Sequence, residues 1–137
     1  SHPPAALRPA EVHLWRVVVS SSAASDAAAA GALSEDERTR ASRFHFGADR
    51  VRFVASHVAL RRILASYLDA TPASLAFGAG AHGKPFLDAP AQGRSLRFSL
   101  SHSGDLALVA VSLGRDLGVD VEQQNNLVFF PSEKRLE

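Results

Sequence analysis

The stretch from Ala48 to Leu68 constrains the fold more than any other part of this chain. It is free of proline and glycine, and Val51, Val54, Val58, Ile63, Leu64, Tyr67 and Leu68 recur at the three- and four-residue spacing of one helix face. A helix with so broad an apolar stripe needs a surface to bury it, and Asp69 to Pro72 ends it. A shorter helix precedes it. Ser34-Glu35-Asp36-Glu37 reads as a capping box, in which Ser34 caps the Glu37 amide while Glu37 reaches back. The acids also suit the positive helix end, so a helix is expected from Glu35 to about Phe44.

The surface that buries the stripe is expected from strands. Glu11 to Ser20 reads as one, with Val12, Leu14, Val17 and Val19 set against Trp15 and Val18. Ser21 to Gly31 is open between loop and weak helix. A short strand is expected near Leu75 to Phe77, and the glycines and prolines of Gly78 to Pro90 suggest a surface loop. Leu96 to Ser101, Leu106 to Ser112 and Leu117 to Glu122 follow as three strands. The short turns Ser103-Gly104-Asp105 and Gly114-Arg115-Asp116 predict an antiparallel meander. The fold class is therefore α+β, an antiparallel sheet with a long helix packed on it.

A length of 137 residues suits one domain with a core. A hydrophobic content of 46% and a charged content of 21% are ordinary for a soluble globular protein. A net charge of +1 gives no whole-chain reason to expect nucleic acid or a membrane as partner. With no cysteine, the chain has no disulfide, thiolate metal site or cysteine nucleophile. No segment reaches the roughly 20 apolar residues that span a bilayer. Ser1-His2-Pro3-Pro4 lacks signal-peptide features, so the expected location is cytoplasmic.

Four features converge on a phosphate-rich ligand. In Gly118-Val119-Asp120-Val121-Glu122 the two acids project from one face of a strand while the valines face the other. Paired acids repel, and a hard cation such as Mg²⁺, which takes one or two carboxylates and completes its shell with waters and phosphates, resolves the repulsion. The alternative for the pair is a solvated strand face. Gly83-Lys84-Pro85 holds an ammonium in a tight loop, suited to phosphate or simply solvated. Ser99-Leu100-Ser101-His102-Ser103-Gly104 offers hydroxyls, an imidazole and a glycine-permitted backbone, although a Ser-capped turn is the simpler reading. Arg50, Arg52, Arg61 and Arg62 read as a solvated basic side of the long helix. Arg52, near its start, is the one backed for phosphate. No Gly-x-Ser-x-Gly elbow points to a hydrolase. His45, His57 and His102 lack zinc-ligand spacing, and His13 and His82 read as incidental.

In order, Gly83-Lys84-Pro85-Phe86-Leu87, Phe98-Ser99-Leu100-Ser101-His102-Ser103-Gly104 and Leu117-Gly118-Val119-Asp120-Val121-Glu122 resemble the successive signatures of the 4′-phosphopantetheinyl transferase superfamily, surfactin-synthetase-activating (Sfp) type. The segment from Leu33 to Phe46, with Arg43-Phe44, and the helix around Arg52 are similar to that family too. The resemblance covers about Leu33 to Glu122.

The resemblance implies one half of a two-lobed transferase fold. It also implies Mg²⁺-dependent transfer of 4′-phosphopantetheine from coenzyme A to a serine hydroxyl of an acyl or peptidyl carrier protein, with release of 3′,5′-ADP. Asp120 and Glu122 would then be the catalytic metal pair. Arg52, Lys84, Ser101 and His102 would bind the phosphates and adenosine end of coenzyme A. The family's second half carries a Trp-x-x-Lys-Glu-x-x-x-Lys signature that this chain lacks, Trp15 being its one tryptophan. Residues 1–122 are thus expected to be the amino-terminal half, and 123–137 the truncated start of the second half or a linker. Phe129-Phe130-Pro131-Ser132-Glu133 resembles the opening of that half. The chain reads as a piece of a longer protein or a degenerate relative, expected to bind coenzyme A weakly and not to turn over alone. The apolar run Leu127 to Phe130 is open between packing on its own sheet and self-association through the second-half interface. The competing functional class is a non-catalytic module that binds coenzyme A or a nucleotide through Lys84, Ser101 and His102.

Overall fold

The computed structural model describes residues 7–8, 11–19, 31–80, 85–113 and 132–136. The β-branched run in the first of these segments forms β1 (Val12–Val18). Helices α1 (Glu35–Ser42) and α2 (Gly47–Leu68) follow. Next come β2 (Ala76–Ala79), β3 (Pro85–Ala89), β4 (Leu96–Ser103), β5 (Leu106–Leu113) and β6 (Ser132–Leu136), with short 3₁₀ turns over Pro72–Ser74 and Ala91–Ser95. The long helix and the α+β class are as the sequence led us to expect.

The main sheet runs β4-β5-β1-β6. Strands β4 and β5 pair antiparallel from Leu96↔Leu113 to Ser103↔Leu106. Gly104, with φ 58°, takes the first central position of their two-residue turn, where mirror-image hairpin turns need a positive φ. Strand β1 lies antiparallel along the other edge of β5, from Val12↔Ser112 to Val18↔Leu106, and β6 lies parallel to β1. This corrects the meander. Leu117 to Glu122 falls outside the described residues, but both edges of β5 are already taken, one by its hairpin partner and the other by β1.

Two further expectations change. Trp15, Val17 and Val19 share the face that packs on α2, Leu14 clusters with Ala110 on the other face, and Val18 is 68% exposed. Strict alternation therefore holds, and Val17 and Val19 belong with Trp15, not with Val12 and Leu14. Part of the expected loop from Gly78 to Pro90 is also a strand: β3 pairs antiparallel with β2 in a second, two-stranded sheet. Pro85 is tolerated there as the first strand residue, and Leu87 is buried. At Gly78 an added Cβ would stand 2.6 Å from the Phe86 ring, so the glycine makes room for the aromatic side chain across the strand pair.

The core lies between the main sheet and α2. Ala55, Ala59, Leu60, Ile63 and Leu64 of the helix meet Trp15, Val17, Phe98, Val109 and Val111 of the sheet. Of the expected stripe, Val58, Ile63 and Leu64 are buried, while Val54, Tyr67 and Leu68 are partly buried against the clusters. Ala55 and Ala59, which add little to a hydropathy pattern, are buried in the same face. Helix α1 is fixed by its capping box: Glu37 N donates to Ser34 Oγ at 3.1 Å and Ser34 N donates to Glu37 Oε1 at 2.8 Å.

Arg61 corrects the reading of the basic helix side. It is 2% exposed rather than solvated. Its Nε donates to Glu37 Oε1 at 2.7 Å, and its Nη1 donates to the carbonyls of Pro72 at 2.8 Å and Leu75 at 3.0 Å. The guanidinium also lies 5.1 Å from the Phe77 ring centroid. One buried cation thus ties α1, α2 and the approach to β2 together, its charge matched by Glu37 and its donors by carbonyls. His13 is not incidental either. It is buried, with Nδ1 2.6 Å from Tyr67 Oη, and the same oxygen accepts from Trp15 Nε1 at 2.9 Å. Burial pushes the Tyr67 hydroxyl up to about 12 against the partial relief of the Trp15 hydrogen bond.

Candidate functional site

A cleft of 660 Å³ opens where α1, α2, the β2–β3 hairpin and β4 meet. Ser34, Glu37 and Arg40 line it from α1, and His57, Leu60 and Arg61 from α2. The strip Leu75 to Ala79 with Pro85 forms a second wall, and Phe98 to Leu100 with His102 a third. Arg61 is committed to its buried partners. Among the described residues, the other ionisable groups on the cleft wall are Arg40, His57 and His102, with Asp36 and Glu37 on the α1 wall.

The positions of these groups follow from their elements. Arg40 sits in the last turn of α1 and lies 5.3 Å from the Phe53 ring centroid, an arrangement that steadies the guanidinium against an aromatic face. His57 stacks on Phe53 with centroids 4.0 Å apart and planes at 27°, and Phe53 meets Phe44 at 5.4 Å. Burial lowers the affinity of the His57 ring for a proton, with Arg40 and His102 pushing the same way; the Phe53 carbonyl and Glu37 oppose them. His102, exposed near the end of β4, stands at the cleft on the face of the sheet that packs on α2.

The structure separates the expected coenzyme A ligands. His102 lines the cleft. Ser101, paired with Leu108, falls by strand alternation on the opposite sheet face, beside the Leu14–Ala110 cluster. Arg52 does not line the cleft: its Nε donates to Asp105 Oδ1 at 3.2 Å, and its Nη1 lies 3.7 Å from Asp49 Oδ1. It ties the start of α2 to the β4–β5 turn. Lys84, Asp120 and Glu122 lie outside the described residues, although Pro85, next to Lys84, is on the cleft wall. Among the described residues, no three His, Cys, Asp or Glu side chains gather as a metal-binding group.

Sequence reasoning missed Arg40 as a site residue, and it met His57 only as a zinc candidate. The signal for both was in the sequence. Arg40 lies one turn after Glu37 on the short helix, and Phe53 and His57 share one helix row four residues apart.

A mainly antiparallel sheet backed by one long helix, with a cleft at the helix flank, defines an α+β half-lobe. The chain belongs to the 4′-phosphopantetheinyl transferase family, matching the model of its amino-terminal part over residues 20–114. It is 42% identical over 112 residues to 4′-phosphopantetheinyl transferase HetI of Nostoc sp., covering 82% of this chain and 47% of that protein. It is 35% identical over 116 residues to a phosphopantetheinyl transferase of Thraustochytrium sp., covering 82% and 40%. Over 92 residues it is 29% identical to a 4′-phosphopantetheinyl transferase of Bacillus subtilis, covering 67% and 39%. The chain spans less than half the length of these curated relatives. No helix among the described residues is long and apolar enough to cross a membrane.

Proposed function

We propose that the parent protein transfers 4′-phosphopantetheine from coenzyme A to a serine hydroxyl of an acyl or peptidyl carrier protein, and that this half-lobe receives the phosphate and adenosine end of coenzyme A. The observation that carries the reading is the cleft, in which Arg40, His57 and His102 converge between α1, α2 and β4 in a family member. Coenzyme A presents a nucleotide with several phosphate charges. The cleft supplies a fixed guanidinium, two imidazoles and the apolar surface of Phe77 and Phe98. Lys84, next to the cleft-lining Pro85, adds an ammonium in this reading.

In the reaction, the serine oxygen forms a bond to the phosphorus that carries the pantetheine. The bond from that phosphorus to the leaving oxygen breaks, its electron pair departs on the oxygen of 3′,5′-ADP, and the serine proton passes to solvent. Asp120 and Glu122 would hold Mg²⁺ on the pyrophosphate. Two carboxylates spaced two apart in a strand-like sequence suit a hard cation that shares its shell with phosphate. The ion, when bound, neutralises charge that builds on the phosphates. Arg40 and His102 hold the nucleotide end in place, and positioning of this kind dominates phosphoryl transfer.

The test incubates the parent protein with coenzyme A, Mg²⁺ and an apo carrier protein and follows carrier mass. A gain of one phosphopantetheine, abolished in Asp120→Ala with the protein still folded, supports the reading. Coenzyme A binding without transfer contradicts it in favour of a binding module. Loss of stability in Asp120→Ala, with transfer per folded molecule unchanged, removes the metal role.

A further inference from the structure

The ring of His57 is held in one orientation and one tautomer. Its Nδ1 lies 2.8 Å from the carbonyl oxygen of Phe53, one turn back on α2. A carbonyl only accepts, so Nδ1 carries the hydrogen and, in the neutral ring, Nε2 carries a lone pair. Stacking on Phe53 at 4.0 Å fixes the ring plane. Nε2 is then on the far edge of the ring from the helix backbone, in a residue that lines the cleft, and among the described residues it has no hydrogen-bond partner. A lone pair facing a phosphate is repulsive, whereas an N–H there is a charge-assisted donor.

The groups around the cleft decide which of the two is present. Burial, Arg40 on α1 and His102 on β4 disfavour a further proton when the cleft is empty; the Phe53 carbonyl and Glu37 on α1 favour one, and Asp36 and Arg61 are the other charged groups on the cleft wall. Glu37 is already engaged by Arg61 and by the α1 cap. Burial favours the neutral ring in the empty cleft. An anion entering the cleft reverses the local field.

We propose that His57 takes up a proton together with the phosphate of its ligand, becoming a donor through Nε2 beside His102 and Arg40 only when the cleft is filled. His57 is thus a binding residue whose charge appears on demand. The inference rests on the reading of the cleft as the coenzyme A site. It predicts that affinity rises as pH falls from 8 to 6, by at most about tenfold per unit for one proton taken up with the ligand.

The experiment titrates coenzyme A into the full chain by calorimetry, in two buffers of different ionisation enthalpy at pH 7. In parallel, the His57 ring signals are followed by NMR through pH 5 to 8, with and without coenzyme A. Sulfate, a dianion over this whole range, serves as a second ligand free of its own titration. The expected result is proton uptake by wild type, an upward displacement of the His57 titration by coenzyme A and by sulfate, and loss of that uptake in His57→Phe, which keeps the stack on Phe53. Should His57→Phe fail to fold, the wild-type NMR titration decides by itself. An unmoved His57 titration with coenzyme A bound, or equal proton uptake in His57→Phe, overturns the inference and leaves the cleft assignment standing. Failure of wild type to bind coenzyme A at millimolar concentration removes the cleft assignment, and the inference with it.

Discussion

The two halves of α2 do different work. From Val58 to Ala65 nearly every residue is buried, Arg62 being the exception. From Gly47 to Val54 none is buried, and the aromatic and charged side chains there reach neighbours one at a time: Phe53 to Phe44 and Arg40, Arg52 to Asp105. The carboxy-terminal half fixes the fold by filling the space over the sheet. The amino-terminal half ends at His57, where the buried row meets the cleft, and it presents groups to that cleft and to the β4–β5 turn. A helix packed tightly at one end is a rigid arm for what it carries at the other, and that is how a small domain holds separated site residues in register.

The comparison can be broken most severely at Arg61. Truncation to alanine leaves Glu37 buried without its cation and two carbonyls without a donor. Arg61→Ala should therefore lower unfolding free energy by about 3–5 kcal/mol, read by urea denaturation. A loss below about 1 kcal/mol, the level of an exposed pair, would show that the residue belongs functionally to the solvated side of the helix. A smaller effect should appear at alkaline pH. Tyr67, raised to about 12 in the fold against an unfolded value near 10, favours the native state below pH 10. That contribution fades as pH climbs from 10 to 12. Tyr67→Phe should flatten the decline of melting temperature over this window, and an unchanged decline would separate Tyr67 from the core network. The smallest effect belongs to the amino-terminal half. Arg52→Ala removes ion pairs with exposed partners and should change stability by no more than about 1 kcal/mol.

The difference between the halves also explains what the sequence could say. Helix α2, the α1 capping box and the β4–β5 hairpin were legible because local periodicity and cap chemistry determine them. Arg61 was not, because a buried arginine and a solvated one look alike until a partner is known. The hint was its position, three residues after Val58 and three before Leu64, inside the apolar row. Strand β3 was hidden behind Gly83-Lys84-Pro85, whose turn chemistry masked the buried Leu87 that follows. The pairing of β1 with β5 was out of reach, since it joins segments far apart in sequence and no local pattern encodes such a contact. Of the residues singled out in the Ser99 to Gly104 motif, His102 lines the cleft. Ser101 came from the same motif and the same resemblance, and by strand alternation it falls on the opposite sheet face from His102.

That last point offers the most direct test of the account, because the two sheet faces give opposite answers. Backbone amide shifts of the isotopically labelled chain, followed by NMR during a coenzyme A titration, report which face the ligand occupies. The account predicts that the largest changes gather at Arg40, His57, Phe77 to Ala79 and His102, around the cleft. Changes centred on Leu14, Ser101 and Leu108, with the cleft amides unmoved, would place coenzyme A on the other face of the sheet and contradict it.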